Sequence, residues 1–148
     1  MKHRKLFDSG ERGATLVEFA LALTVFLTSM FAVMEFGRAL WVHNALTDAA
    51  RRGARYAVLH SAGSIDSVKN VVVFGDEAGG TQPVVPNLTV DQVTVTYSDF
   101  AVNHGTATVS IENYQFQFVL PFLGTSISMP NYSTTLIGES IGLVPVNK

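Results

Sequence analysis

From Phe19 to Met34 the chain runs for 16 residues without a formal charge, FALALTVFLTSMFAVM. Carried back to Ala14, the run is 21 residues long and is interrupted only by Glu18. At ~1.5 Å per residue a helix of that length spans roughly 31 Å, close to the hydrocarbon thickness of a bilayer. The apolar residues go all round the helix rather than along one stripe, as lipid on every side requires. A buried core helix of this composition would need a far larger domain around it than 148 residues can build. The run is therefore read as a membrane span, about residues 14–36.

Charge sets its direction. Residues 1–13 carry Lys2, Arg4, Lys5 and Arg12 against Asp8 and Glu11, whereas the rest of the chain holds six Lys or Arg against ten Asp or Glu. Four basic residues precede the span and only Arg38 follows within the next dozen positions. The excess of positive charge on the cytoplasmic side of such spans leaves residues 1–13 in the cytoplasm and exports everything beyond the helix. Arg51, Arg52 and Arg55 oppose this weakly, about 17 residues past the apolar end and at the edge of the rule's reach. No basic patch is interleaved with aromatics, so nucleic acid is not an expected partner. The chain has no cysteine, which excludes disulfides, thiolate metal sites and cysteine nucleophiles.

A cleaved secretory signal is the obvious rival, but such signals are cut after the apolar region. Ala20-Leu21-Ala22 has the right small residues yet stands near the start of the span. The junction before the span is more informative: Arg12-Gly13-Ala14-Thr15-Leu16-Val17-Glu18-Phe19. A glycine ends the charged leader, the fifth residue after it is a glutamate, and an aromatic follows. This resembles the processing site of type IV prepilins, and more narrowly that of the tight-adherence (Flp) branch. The resemblance implies a membrane prepilin peptidase that cuts between Gly13 and Ala14 on the cytoplasmic face. Phe19 departs from the tyrosine usual in the major pilins, keeping the ring and losing the hydroxyl. Gly10 does not serve as an alternative, because the fifth residue after it is Thr15.

Physical chemistry gives the motif a rationale. Glycine weakens a helix, so a protease can hold that backbone extended at the membrane surface. Glu18 sits at the edge of the bilayer, where an ionisable group is costly and usually has a partner. Cleavage at Gly13 creates an α-amino group on Ala14, wholly or partly cationic near neutral pH. In a filament that amine can pair with Glu18 of a neighbouring subunit; alone, the carboxylate reaches out to water.

Helical spacing persists past the span. Val42, Leu46, Ala49 or Ala50, Gly53 and Ala57 recur on one face, predicting a helix over residues 14–60 whose small side chains let a sheet come close. Ser61-Ala62-Gly63-Ser64 is the expected stop. Residues 61–148 then read as an exported domain with period-two alternation. Val93, Val95 and Tyr97 alternate with Thr94, Thr96 and Ser98; Ala107, Val109 and Ile111 alternate with Thr108 and Ser110. Tyr114, Phe116 and Phe118 continue the pattern, and Tyr132 to Leu143 is a last run rich in Thr, Ile and Ser. Turn signals separate these runs at Asp76 to Gly80, Pro83 to Asn87, Asn103-His104-Gly105 and Pro130-Asn131. Val71-Val72-Val73-Phe74 is expected to add a short strand. The expected fold is α+β: a long N-terminal helix and an antiparallel sheet of three or four strands packed on its exported half. Phe116, Phe118 and Phe122 are assigned to the core because they keep the strand alternation.

The span, RGATLVEFAL and the following AARRGARYAV together resemble the TadE-like minor pseudopilins of the tight-adherence system, specifically over about residues 12–58. Major Flp pilins are much shorter and essentially a helix alone, so the extra domain points to the minor class. The resemblance implies a structural subunit of the bacterial inner membrane. Its expected partners are a prepilin peptidase, other pilins or pseudopilins, the pilus assembly platform and the lipid bilayer. The competing reading is a signal-anchored protein that displays its domain to an unidentified exported ligand.

Enzyme signals are weak. Gly138-Glu139-Ser140-Ile141-Gly142 fits the G-x-S-x-G nucleophile pattern, but that motif needs an acid and a histidine later in the chain, and the six residues after Gly142 hold neither. His3, His43, His60 and His104 show no ligand spacing, so neither metal nor cofactor is expected. Asp76 and Glu77 are adjacent in a loop and read as solvated. Asn87-Leu88-Thr89 and Asn131-Tyr132-Ser133 fit the glycosylation sequon by chance length. The chain is not expected to be an enzyme.

Overall fold

A computed structural model describes residues 9–60, 64–101, 104–119 and 126–137. Helix α1 (Ser9–Leu59) is 51 residues long, about 76 Å at the α-helical rise. Helix α2 (Ile65–Phe74) and a single 3-10 turn (Val90–Gln92) follow. The strands are β1 (Val93–Ala101), β2 (His104–Ile111), β3 (Gln115–Gln117), β4 (Ser126–Ser128) and β5 (Tyr132–Ile137). The class is α+β. The chain divides into two compact units, Met1–Arg38 and Ala39–Lys148.

In the first unit the apolar stretch of α1 is bare. Its most hydrophobic 18-residue window has a mean hydropathy of 2.1 and none of it is buried. Three of its hydroxyls are satisfied from within the helix. The hydroxyls of Thr24, Thr28 and Ser29 donate to the carbonyls of Ala20, Thr24 and Val25, each at 2.8 Å. That is how a helix carries hydroxyls where no water is present to bind them. At the end of the unit Glu35 and Arg38 form an ion pair one turn apart, with Glu35 buried.

The second unit has a core of its own, built from the face of small residues on α1. Val42, Leu46, Ala49, Ala50, Ala54 and Ala57 are all buried. Gly53 shows how close the approach is. A Cβ at that position would overlap the Val72 Cγ2 methyl of α2 and lie 3.3 Å from Val109 Cγ1 of β2.

Strands β1, β2 and β5 form an antiparallel sheet in the order β1-β2-β5, and β3 pairs with β4 in a separate two-stranded ribbon. The sheet register aligns Val95, Val109 and Thr134 across the three strands, with Val93, Ile111 and Tyr132 at one end. Alternation puts Thr94, Thr96, Thr108, Ser110, Ser133 and Thr135 on the opposite face. There the pairs Thr108–Thr135 and Ser110–Ser133 hydrogen-bond across strands at 2.8 and 3.0 Å. Phe116 is buried and Phe118 half-buried, their rings edge-on at 5.3 Å, as core aromatics pack. Phe122 lies outside the described residues.

One expected strand is a helix. Val71-Val72-Val73-Phe74 is the second half of α2, with Val68, Val71, Val72 and Val73 buried. An apolar run this short fits a strand or a buried helix equally by periodicity. The ends decide it: Asp66 lies in the first turn, and Gly75 closes the helix at φ 80° with its N–H bonded to the Val71 carbonyl. That left-handed stop is a position for glycine. The last strand ends at Ile137, and residues 138–143 of the expected run lie outside the described residues, as do 61–63 of the expected stop and Asn103. His104 opens β2 instead of turning.

Candidate processing and assembly site

The four residues of interest at the head of the span lie on two turns of α1. Gly13, Ala14, Glu18 and Phe19 are all exposed, Phe19 at 63 %. Nothing lies within 4 Å of the position a Gly13 Cβ would occupy. A larger residue there meets no steric objection from the described residues. Gly13 is helical, four residues into α1. A peptidase that reads extended backbone must first unwind this end, which glycine makes cheaper by about 1 kcal/mol relative to alanine.

Glu18 has no ion pair or hydrogen bond among the described residues, in contrast to Glu35, which holds Arg38. Glu18 is thus an exposed carboxylate near the start of an apolar helix, with no partner among the described residues. Phe19, about 100° round the helix from Glu18, leaves its ring exposed.

Other residues singled out by sequence do not gather into a site. Asp76 and Glu77 are exposed and structural: Asp76 Oδ1 accepts the Ala78 N–H at 2.9 Å, and Glu77 Oε2 accepts the Tyr56 hydroxyl at 2.6 Å. Tyr56 also stacks on His60 at 3.8 Å, and Asn70 donates to the Glu77 carbonyl, so this turn is clamped to both helices. The hydrogen bond to Glu77 pushes the Tyr56 phenol pKa up. His43 contacts the Tyr132 hydroxyl through Nδ1 at 2.9 Å, tying α1 to β5. Among the described residues no group of three or more His, Asp or Glu is placed to hold a metal. Asn87 takes a left-handed turn at φ 64°, and Asn131 is exposed between β4 and β5. Gly138 to Gly142 lies outside the described residues.

The sequence reading passed over one feature. Arg51, Arg52 and Arg55, counted earlier only against the topology, line an open pocket of about 370 Å³ together with Asp48. Arg52 is anchored by its Nε–H to the Val71 carbonyl at 3.3 Å, while Arg51 is only loosely paired with Asp48 at 3.8 Å. Their i, i+1, i+4 spacing on a helix was the available signal.

No curated protein and no solved structure matches the chain. The segment that does match known proteins is the one that carries the motif and the anchor: residues 13–55, which begin at Gly13 and end at Arg55, fit the family model of TadE-like protein.

Proposed function

We propose that the chain is a minor pilin or pseudopilin of a tight-adherence pilus, anchored once in the bacterial inner membrane and acting as a structural subunit rather than an enzyme. The observation that carries this is the coincidence of three features on one helix. The family match starts at Gly13, the glutamate and aromatic follow at the pilin spacing, and the helix behind them is apolar and bare. An apolar helical stretch with none of its surface buried needs lipid first and neighbouring helices later, which is the life of a pilin subunit. In this scheme residues 1–13 are a cytoplasmic leader and the sheet unit is exported. A prepilin peptidase cuts before Ala14, and Glu18 receives the new amine of an adjacent subunit.

The test is capture of pilus components by the mature protein, with wild type and Glu18→Gln compared at equal membrane abundance. Removing one partner of a desolvated ion pair typically costs about 3–5 kcal/mol, whereas an exposed carboxylate is worth almost nothing. Wild type is expected to crosslink to other pilins and Glu18→Gln to lose them while still being processed. Equal recovery from both removes the Glu18–amine pairing, and recovery of no pilus component by wild type removes the pilin assignment.

A further inference from the structure

The outward face of α1 changes character within one turn. Val33, Phe36, Leu40 and Trp41 are exposed at 72, 66, 48 and 55 %. Continuing along the same face at helical spacing come Asn44, Asp48, Arg51 and Arg55, all exposed and all polar. The opposite face over this stretch, from Val42 to Ala57, is covered by the protein itself. The exposed side thus has a boundary between Trp41 and Asn44, with apolar surface before it and charge after.

We propose that this boundary is the water edge of the membrane. Leu40 and Trp41 form a lipid-contact surface seated in the headgroup layer of the exported leaflet, well past the hydrocarbon span ending near residue 36. The proposal rests on the reading of α1 as a membrane anchor and adds where that anchor stops. The length agrees: Ala14 to Trp41 is 28 residues, ~42 Å of helix, against about 30 Å for the hydrocarbon core and 40–45 Å for a bilayer with both headgroup layers. Past its start this length carries two further charges, Glu35 and Arg38, and they neutralise one another one turn apart, as ionisable groups at membrane depth do. Tryptophan favours this layer because its ring is amphipathic, apolar in body with one N–H to give to water or a headgroup. A partner helix fits the face less well, because it would run onto Asn44, Asp48 and Arg51 about one to three turns later.

Trp41 is the only tryptophan in the chain, so it reports on itself. The full chain is reconstituted into phosphatidylcholine vesicles in which the acyl chains carry bromine near the headgroup, near the chain ends, or not at all. Integration is checked separately by resistance to alkaline extraction. The expected result is an integral protein whose emission is lost strongly to shallow bromine and less to deep bromine. In a Trp41→Phe background, Leu59→Trp places a reporter 18 residues further along α1, ~27 Å away, and its emission is expected to be indifferent to bromine. An integral protein with Trp41 indifferent to both bromine positions overturns the lipid seat and leaves the anchor standing. Blue-shifted emission that ignores bromine but depends on protein concentration also overturns it, in favour of a second copy on that face. Stronger loss to deep bromine places Trp41 in the hydrocarbon and overturns the boundary. Failure to integrate overturns the anchor reading itself.

Discussion

Gly53 is the point where the packing of the exported unit is tightest, and replacing it with alanine sets two effects against each other. In a helix interior the change from glycine to alanine stabilises by roughly 0.5–1 kcal/mol, because the unfolded chain has less freedom to lose. At this position the new methyl would overlap Val72 Cγ2 and press on Val109 Cγ1 at 3.3 Å. Val72 and Val109 are fully buried, so neither can swing away, and overpacking of this kind costs about 1–3 kcal/mol. The clash wins: Gly53→Ala is expected to destabilise by about 1 kcal/mol net, roughly 4–8 °C in Tm for a unit of this size. The assay is thermal unfolding of the full chain in detergent, followed by near-ultraviolet circular dichroism of the tyrosines. Adding Val72→Ala should give back part of the loss, with a coupling of about 0.5 kcal/mol or more between the two sites. Gly37 is the control, since nothing lies within 4 Å of its would-be Cβ, and Gly37→Ala is expected not to lower Tm. A Gly53→Ala protein more stable than wild type, with additive effects at Val72, would refute the close approach of α1 to α2 and β2.

Two further outcomes are expected. The phenols of Tyr56, Tyr97 and Tyr132 are all held above their ordinary pKa of 10.0, Tyr56 by its hydrogen bond to Glu77 and the other two by burial. The folded protein therefore keeps these protons after the unfolded chain has released them. The associated stability is complete below pH 10 and falls as pH rises from there through the raised values; a Tm that stays flat over that range while phenolate absorbance grows would contradict it. Orientation predicts that protease added to spheroplasts digests the sheet unit and spares residues 14–36, and a protected sheet unit would reverse it.

The sequence made some parts of this molecule legible and hid others for physical reasons. The bare apolar helix was readable because its composition is apolar all round, which no small soluble domain needs. The strands around Val95 and Val109 were readable because one face is buried and the other wet, so alternation is written into the residues themselves. Val71 to Phe74 misled because four apolar residues in a row, three of them buried and Phe74 partly so, carry no period; the useful information lay outside the run, in Asp66 and Gly75. The buried face from Val42 to Ala57 was evident as a stripe of small residues, but its meaning as a seat for Val72 and Val109 came only from the packing. Gly13 and Glu18 were legible by spacing alone, and the geometry adds that, among the described residues, nothing crowds Gly13 and no ion pair or hydrogen bond engages the Glu18 side chain. The arginine pocket was missed because charge was being counted for topology and not mapped onto a helix face.

The central claim is that the helix is freed by a cut before Ala14, and the mature N-terminus tests it most directly. The protein is purified from membranes of a cell with an active tight-adherence system and its first residue identified by mass spectrometry, beside a Gly13→Leu variant. The account predicts a wild-type chain of 135 residues beginning at Ala14, since 13 of the 148 are removed, and an uncut Gly13→Leu precursor. A wild-type chain beginning at Met1, or a Gly13→Leu chain beginning at Ala14, would contradict it.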